Sequence, residues 1–522
     1  MNAAAWLISL PLASSPLIYL VGRLPLESRR AARWQIAWAL SLAVLAGMWA
    51  VFAAAARDLA ALPAAPAAVP ALTVEVGALS LRINGLSLFT AALVLGISTL
   101  TVIFSGVGVL GKGGAEKYFA MILATSGAMI GMACAADLFN LWLWFEAMMI
   151  ASLMLVAFAY DRPAALDAAI KYLVQNVVGS LLALMGIALV LGSAGSLRLD
   201  AVLDEAASPA LLAAGALFIL GFGVKCALVP LHTWLPDVYT HAPIGTAALF
   251  SGAITVSGLI AMLRALAPLG GAAEVWGSLL LGFGGLNIVA GNLLALRQKE
   301  LRRLLAYSSI SHIGFMLLAL GVALYSHETA AAQAGLFHLI NHSVMKALAF
   351  LTIGGGLYSL GMDADRPMPF RHLRGLGRSS PLAALALTLA ILSLAGLPPL
   401  AGFISKWQVF EAGMASGSQA AGALTLFAAL NTLLSLAYYL PVVMLLFADA
   451  PADRIAMRRP LPRLMQIPLL LLLALILLFG ILPDLARLLT DPASTALLGG
   501  FGGMDTLTNL NLNGGSLWQI FY

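Results

Sequence analysis

Residues 209–237 read PALLAAGALFILGFGVKCALVPLHTWLPD. An apolar block opens the stretch, Lys225 interrupts it, and Pro230 and Pro236 follow. A helix needs about 20 predominantly apolar residues to cross roughly 30 Å of hydrocarbon. Proline removes a helix hydrogen bond and ends or kinks the helix. The stretch therefore reads as a membrane helix broken near its middle, with a charge at the break. A charged side chain at a helix centre costs about 2.5–3.5 kcal/mol on insertion scales, so such a residue marks function before structure.

The rest of the chain agrees. Of 522 residues, 61% are hydrophobic and 10% charged, and the mean hydropathy is +0.97. A soluble domain is about 45–50% apolar and about 25% charged. Within lipid only helices and closed barrels satisfy the backbone. Barrel strands alternate in polarity over about 10 residues, whereas this chain repeats apolar blocks of roughly 20. The fold class is an all-α integral membrane protein. The net charge of +5 sits in short loops between apolar blocks, so no nucleic-acid partner is expected. Cys134 and Cys226 lie inside apolar blocks and no CxxC occurs, so no metal or cofactor is expected in this chain. No basic segment precedes the first span, which is expected to stay attached. The glycines of GVGVLGKGG (106–114) imitate a nucleotide loop, but they end a membrane helix instead of following a strand.

About 14 spans are expected, near 4–21, 34–56, 84–110, 116–135, 138–159, 167–191, 210–230, 243–268, 275–296, 303–322, 331–360, 381–410, 422–448 and 466–487. Basic residues concentrate in the odd-numbered connections: Arg23, Arg29, Arg30 and Arg33 against Glu27; Lys112 and Lys117; Arg297, Lys299, Arg302 and Arg303; Arg366, Arg371, Arg374 and Arg378; Arg454, Arg458, Arg459 and Arg463. The sixth connection holds Asp200, Asp204 and Glu205 against Arg198. Lys/Arg bias marks the cytoplasmic side. Odd connections are then cytoplasmic and both termini outside the cell inner (plasma) membrane. Residues 57–83, with Pro63, Pro66 and Pro70, read as an extended external loop, and the tail after Pro492 as an external surface segment without a further anchoring helix.

A second break, LAGLPPLAGF, holds Pro398 and Pro399 in span 12, five spans after the first. Paired interruptions in corresponding places point to inverted repeats with the site at their interface. Spans 4–8 and 9–13 are the expected five-helix repeats. The domain division is 1–110, 111–270, 271–450 and 451–522.

Five charges fall in or at the edges of apolar blocks: Glu146, Lys171, Lys225, Lys346 and Lys406. The five-span offset matches Lys171 with Lys346 and Lys225 with Lys406. His338, His342 and Lys346 stand at i, i+4 and i+8, on one helix face. His312 is a fourth polar candidate in span 10. Histidine titrates near physiological pH and relays protons. The competing readings are hydrogen-bonded packing for the histidines, a structural ion pair for Glu146, and snorkelling for Lys171 and Lys406. A zinc reading of HxxxH lacks the glutamate of HExxH. Burial favours a lysine's neutral form and a nearby carboxylate its charged form. An approach of Glu146 to Lys225 would hold a proton there, and separation would release it.

Six stretches carry a resemblance: DLFNLWLWFE (137–146), KYLVQNVVGS (171–180), VKCALVPLHTWLPD (224–237), LRRLLAYSSISHIGF (301–315), FHLINHSVMKALAFL (337–351) and LSLAGLPPLAGFISKW (392–407). Together they resemble the antiporter-like subunits of respiratory complex I, membrane hydrogenases and Mrp antiporters. The resemblance implies 14 or more helices with two inverted repeats. It also implies a Glu146–Lys225 pair, Lys406 as the terminal lysine, and His312, His338, His342 and Lys346 along a hydrated central axis. Implied partners are other membrane subunits of a multisubunit complex, a peripheral redox module and the lipid bilayer. The family commonly carries lysine or histidine in span 8. Here the matching position is Val256, flanked by Ser251, Thr255 and Ser257, where a hydroxyl–water chain would have to substitute. With no long C-terminal lateral helix expected, the chain is similar to the two inner complex I subunits or to one of the large antiporter-like Mrp subunits (the D type), and LHTWLPD favours the redox-driven kind. The expected function is proton translocation in a complex of NADH:quinone oxidoreductase type. The alternatives are an Mrp-type Na+/H+ antiporter subunit and a scaffold with an interrupted path.

Overall fold

The computed structural model describes residues 3–23, 30–62, 69–76, 79–109, 113–202, 208–449 and 459–502. Glu27, Arg29, Pro63, Pro66, Lys112, Asp204, Glu205, Arg454, Arg458, the side chains of Arg30 and Arg33, and the tail from 503 lie outside the described residues. The chain opens with α1 (Ala3–Gly22) and α2 (Arg30–Ala60). Next comes a hairpin of β1 (Leu72–Val76) and β2 (Leu79–Ile83), then α3 (Gly85–Gly108), α4 (Ala115–Cys134), α5 (Leu138–Val156) and α6 (Pro163–Ala194). The hairpin corrects the extended-loop expectation and adds one small sheet to a chain that is otherwise mostly helical. LTVEV and LSLRI alternate apolar and polar residues, the period of a strand, and pair antiparallel with Val74 opposite Leu81.

The first broken helix is α7 (Pro209–Gly223), an unwound stretch, and α8 (Trp234–His241). After it run α9 (Ile244–Leu249), a π-turn (Phe250–Ile254) and α10 (Thr255–Leu266). The second half holds α11 (Ala273–Ala295), α12 (Leu301–Ser326), α13 (Thr329–Ser359), α14 (Pro381–Ala395), α15 (Ala401–Ala415), α16 (Gln419–Phe447), α17 (Arg463–Ile481) and α18 (Arg487–Gly499). Helix starts are set by polar caps: Asn84, Asp137, Ser208, Glu300 and Ser418 each accept a first-turn N–H. Pro163, Pro209 and Pro381 occupy first helical positions, where the missing N–H is harmless. α18 corrects the surface-tail expectation: Thr490, Ala493, Leu497 and Leu498 are buried as it packs against α3 and α13.

Among the described residues, eleven helical segments are long and apolar enough to cross a membrane. Burial separates centre from rim: the apolar windows of α12 and α13 are 94% and 100% buried, against 22% for α2 and 28% for α16. Glycines let α11 and α12 approach closely. A β-carbon on Gly277 would lie 2.7 Å from Gly321 O, and one on Gly314 would lie 2.6 Å from Gly284 O. Small residues at such contacts are how membrane helices gain packing without a hydrophobic drive.

The connections sort onto two faces. On one, Arg162 Nη1 and Arg302 Nη1 donate to Asp365 O at 3.2 and 2.9 Å, and Ile244 N donates to Asp365 Oδ1 at 2.8 Å. Arg302 Nε also donates to Tyr239 O at 2.8 Å. These contacts join the fifth, seventh, ninth and eleventh connections. On the other face, Leu81 bridges Ala135, Asp137 bridges Arg198, and Arg264 Nη2 donates to Ala135 O. The second, fourth, sixth and eighth connections meet there.

Candidate functional site

Lys225 lies in the unwound stretch between α7 and α8 and is fully buried. Trp234 Nε1 clasps this stretch by donating to Val224 O at 2.9 Å. Gly258 on α10 makes room for the lysine, since a β-carbon there would lie 2.8 Å from Lys225 Cβ. Lys225 Nζ donates to Tyr172 Oη on α6, and Tyr172 Oη lies 2.6 Å from Ser152 Oγ on α5. The ammonium stands 4.5 Å from the Tyr172 ring centroid and 5.7 Å from that of Phe145. Glu146 is the lysine's electrostatic neighbour but forms no ion pair with it within 4.0 Å. Glu146 Oε1 is buried without a hydrogen-bond partner. The implied direct pair is thus open in this structure, and a tyrosine hydroxyl takes the carboxylate's place.

A hydroxyl cluster bridges the two halves. Tyr239 Oη on α8 is 3.0 Å from Thr255 Oγ1 on α10, one turn from Gly258. Ser251 and Ser309 neighbour this hydroxyl, and their own hydroxyls are 3.4 Å apart. Thr255 Oγ1 itself donates to Phe250 O at 2.9 Å across the π-turn. Such turns recur at functional sites. Ser309 sits on α12 beside Ser308, and Ser308 Oγ accepts from Lys346 Nζ at 2.6 Å. Lys346 Nζ also donates to Leu305 O at 2.7 Å, and Ser308 Oγ bonds Tyr439 Oη on α16.

Beyond Lys346 lie the histidines, all buried. His342 is one turn away on α13, its ring 5.6 Å from that of His312 on α12. His312 Nδ1 is 3.1 Å from His338 Nε2, and His338 Nδ1 is 3.0 Å from Ser405 Oγ on α15. Lys406 follows Ser405. It is 3% exposed, which removes the snorkelling alternative. Its Nζ donates to Leu394 O at 2.9 Å and Ala395 O at 3.4 Å, and lies 5.2 Å from the Phe315 ring centroid. Those carbonyls end α14, where Gly396 in the left-handed region closes the helix. A helix C-terminus carries partial negative charge and exposes acceptors, so the break itself builds the seat for this ammonium.

Lys171 stands apart, and of the two readings open for it its exposure favours snorkelling. Its side chain is 57% exposed, with Nζ 2.6 Å from Asp237 Oδ2, while Asp237 Oδ1 takes Arg303 Nη1 at 2.8 Å. One residue along a helix turns the side chain by about 100°. Tyr172 therefore points inward where Lys171 points out, and the match of Lys171 with the buried Lys346 is one of helix, not of environment. Lys225 and Lys406 likewise differ: one lies in its break, the other on the helix after it.

Residues 135–434 match the family described as NADH:quinone oxidoreductase/Mrp antiporter, transmembrane. NADH-quinone oxidoreductase subunit N 2 of Roseiflexus castenholzii is 32% identical over 419 residues, 78% of this chain and 82% of the relative. The chain belongs to the NADH:quinone oxidoreductase/Mrp antiporter family. Subunit N of Geobacter metallireducens is 35% identical over 345 residues, 65% of this chain and 70% of that one. Among solved structures, a chain of respiratory complex I from Thermus thermophilus aligns with a TM-score of 0.72 and 28% identity, over 91% of this chain and 98% of that one. A chain of the Mrp complex from Dietzia sp. has a TM-score of 0.83 at 22% identity, over 98% of this chain and 100% of that one, which shows the common fold.

In this member of the NADH:quinone oxidoreductase/Mrp antiporter family, sequence reading missed Tyr172, Tyr239, Ser308, Ser309, Ser405 and Tyr439. Tyr172 and Ser405 each adjoin a lysine that the reading singled out. The others carry no signal by themselves, because hydroxyls are cheap in membrane helices and occur throughout them. Among the described residues no group of acids, histidines and cysteines is placed to hold a metal ion.

Proposed function

We propose that this chain is the proton-translocating, antiporter-like membrane subunit of a redox-driven complex of NADH:quinone oxidoreductase type. The observation that carries this reading is the line of buried titratable and hydroxyl side chains from Lys225 through Tyr239, Ser309 and Lys346 to His338 and Lys406. Its donor set suits protons. Lysine and histidine fill the central part, where a cation would want oxygen ligands and negative charge. Buried polar atoms of Asn341, His342 and Ser257 lack protein partners, and groups of that kind are held by water. The hydroxyl cluster offsets the missing basic residue at Val256, which argues against a mere scaffold. Glu146, Lys225, Lys346, Lys406, His312, His338 and His342 carry the proton in this reading.

The finer architecture belongs to the same proposal. The helical segment Ile244–Ala295 runs 52 residues. At about 1.5 Å per residue that is more than twice the hydrocarbon thickness. It bends at Leu269, whose φ of −98° and ψ of 32° are non-helical. Two crossings there, and the two broken helices, bring the candidate spans to the expected fourteen. The grouping of odd connections on one face and even ones on the other supports two inverted repeats, 111–270 and 271–450, between flanking segments 1–110 and 451–522. Both termini would lie outside the inner membrane. Neighbouring membrane subunits and a peripheral redox module would supply the electrons and the cofactors.

Native purification in mild detergent, with mass spectrometry of what co-purifies, tests the assignment. Iron–sulfur and quinone-site subunits are expected, together with a lower proton-to-electron ratio in membrane vesicles carrying Lys225→Ala. Small membrane subunits alone, with sodium-dependent exchange, would make the chain an Mrp-type antiporter subunit instead.

A further inference from the structure

Two of the buried lysines share an arrangement that the proposed path does not require. Lys225 Nζ meets Tyr172 Oη, which is backed by Ser152 Oγ at 2.6 Å. Ser152 Oγ is anchored to Met148 O at 2.6 Å. Lys346 Nζ meets Ser308 Oγ at 2.6 Å, which is backed by Tyr439 Oη. Beside Tyr439, whose ring centroid is 4.4 Å from that of Tyr438, Tyr438 Oη donates to Asn292 Oδ1 at 2.9 Å, and Asn292 Nδ2 donates to Asn431 O at 3.1 Å. Each lysine therefore faces a serine–tyrosine pair, in opposite order, supplied by two helices. Rings hold the first pair in place: Tyr172 packs edge-on against Trp234 at 5.0 Å and Phe250 at 5.4 Å.

The chemistry of the pair differs from that of a carboxylate. A lysine ammonium offers three donors and no acceptor, whereas its neutral amine has a lone pair that accepts. An ionised carboxylate only accepts. A hydroxyl accepts from the ammonium and, after turning its O–H, donates to the amine. Two hydroxyls in series can turn together, so the partner of the first remains satisfied. Unmade hydrogen bonds in a buried site are what would otherwise eject one of the two states.

We propose that Tyr172–Ser152 and Ser308–Tyr439 are reversible holders that keep Lys225 and Lys346 in one place in both protonation states. All four are positioning residues, and the inference rests on the proton-path reading above. The surroundings fit. The charged group facing Lys225 is Glu146 on α5. Lys346 faces His342 on its own helix, His312 on α12 and Lys406 on α15, and among the described residues it forms no ion pair within 4.0 Å. For Lys346 the hydroxyl pair and Leu305 O are then the side-chain and backbone acceptors that hold the ammonium.

The test uses the assembled complex carrying Tyr172→Phe, Ser308→Ala or Ser308→Thr, with Lys225→Ala as reference. Proton translocation is expected to fall about fivefold to tenfold in Tyr172→Phe and Ser308→Ala, the factor one net hydrogen bond carries. Ser308→Thr, which keeps the hydroxyl, is expected to restore it. Infrared difference spectra between low and high pH should show a tyrosine C–O band that moves in the native complex and is absent from both Tyr172→Phe and Lys225→Ala. Native-like translocation in Tyr172→Phe and Ser308→Ala, while Lys225→Ala is inactive, would overturn the inference and spare the path. A tyrosine band indifferent to Lys225→Ala would also overturn it. Unimpaired translocation in Lys225→Ala would instead overturn the path, and the infrared coupling would report on the pair separately.

Discussion

His312 Nδ1 and His338 Nε2 face each other at 3.1 Å with their rings stacked 13° from parallel. One nitrogen of such a contact must carry the hydrogen and the other the lone pair. A proton added at one end is therefore passed or refused according to the tautomer of its neighbour, and Ser405 at the far nitrogen of His338 completes the exchange. His338→Ala removes both contacts at once. A positioned proton-transfer group typically contributes about a hundredfold or more. Translocation through this subunit, measured as protons per electron in vesicles, should fall by about that factor without loss of assembly.

Lys171 should tolerate loss. Its partner Asp237 is shared with Arg303, and the lysine side chain is 57% exposed. Exposed ion pairs are worth about 0–1 kcal/mol. Lys171→Ala is expected to keep proton translocation within about twofold. Asp237→Ala should cost more thermal stability than Lys171→Ala, because it leaves Arg303 and Lys171 facing each other. A Lys171→Ala complex as inactive as Lys225→Ala would return Lys171 to the path.

The bridge over Val256 rests on Tyr239 and Thr255. Tyr239→Phe combined with Thr255→Val removes two hydroxyls of the cluster between Lys225 and Lys346 and leaves Ser251 and Ser309, and translocation should drop by at least about tenfold, the effect of losing a relay step. Val256→Lys restores a basic group one residue from Thr255. It is expected to recover part of the loss in the double variant. No change in the double variant would mean that protons pass the junction by another route.

Glu300 caps α12 and ties it to the eleventh connection: Oε2 accepts from Arg303 N at 2.6 Å and Oε1 from Met368 N at 2.7 Å. Glu300→Ala should destabilise by about 1–2 kcal/mol, the range of lost caps, seen as a lower unfolding temperature in detergent. Burial pushes the Glu300 carboxyl above its ordinary range, with Arg302 pulling the other way. The folded state then holds this proton more tightly than the unfolded chain does. Stability from this group is fully present below the ordinary glutamate value and is lost as pH rises through the raised one. Glu300→Gln should flatten that dependence.

Much of this was readable from sequence because charge and proline are rare inside apolar blocks. Lys225, Lys346 and Lys406 stand out, and so do both breaks. What each lysine touches was not readable. A membrane helix has lipid on one side and protein of similar polarity on the other, so hydropathy does not say which way it faces, and Lys171 and Tyr172 exchange roles over one residue. The Tyr239 cluster gathers side chains from α8, the π-turn after α9, α10 and α12, a meeting that no spacing along the chain announces. The hairpin was masked by the alanines and prolines that precede it.

Asp365 O accepts from Arg162, 203 positions earlier, and from Arg302. At roughly 5–20 residues per second of synthesis, roughly ten to forty seconds pass between the making of Arg162 and of its acceptor. During that interval the arginine-bearing end of the earlier helices has no such acceptor to fasten it. The loop made late thus closes helices made early, and a ribosome that stops before residue 361 leaves behind a half whose parts are all present but whose latch is not.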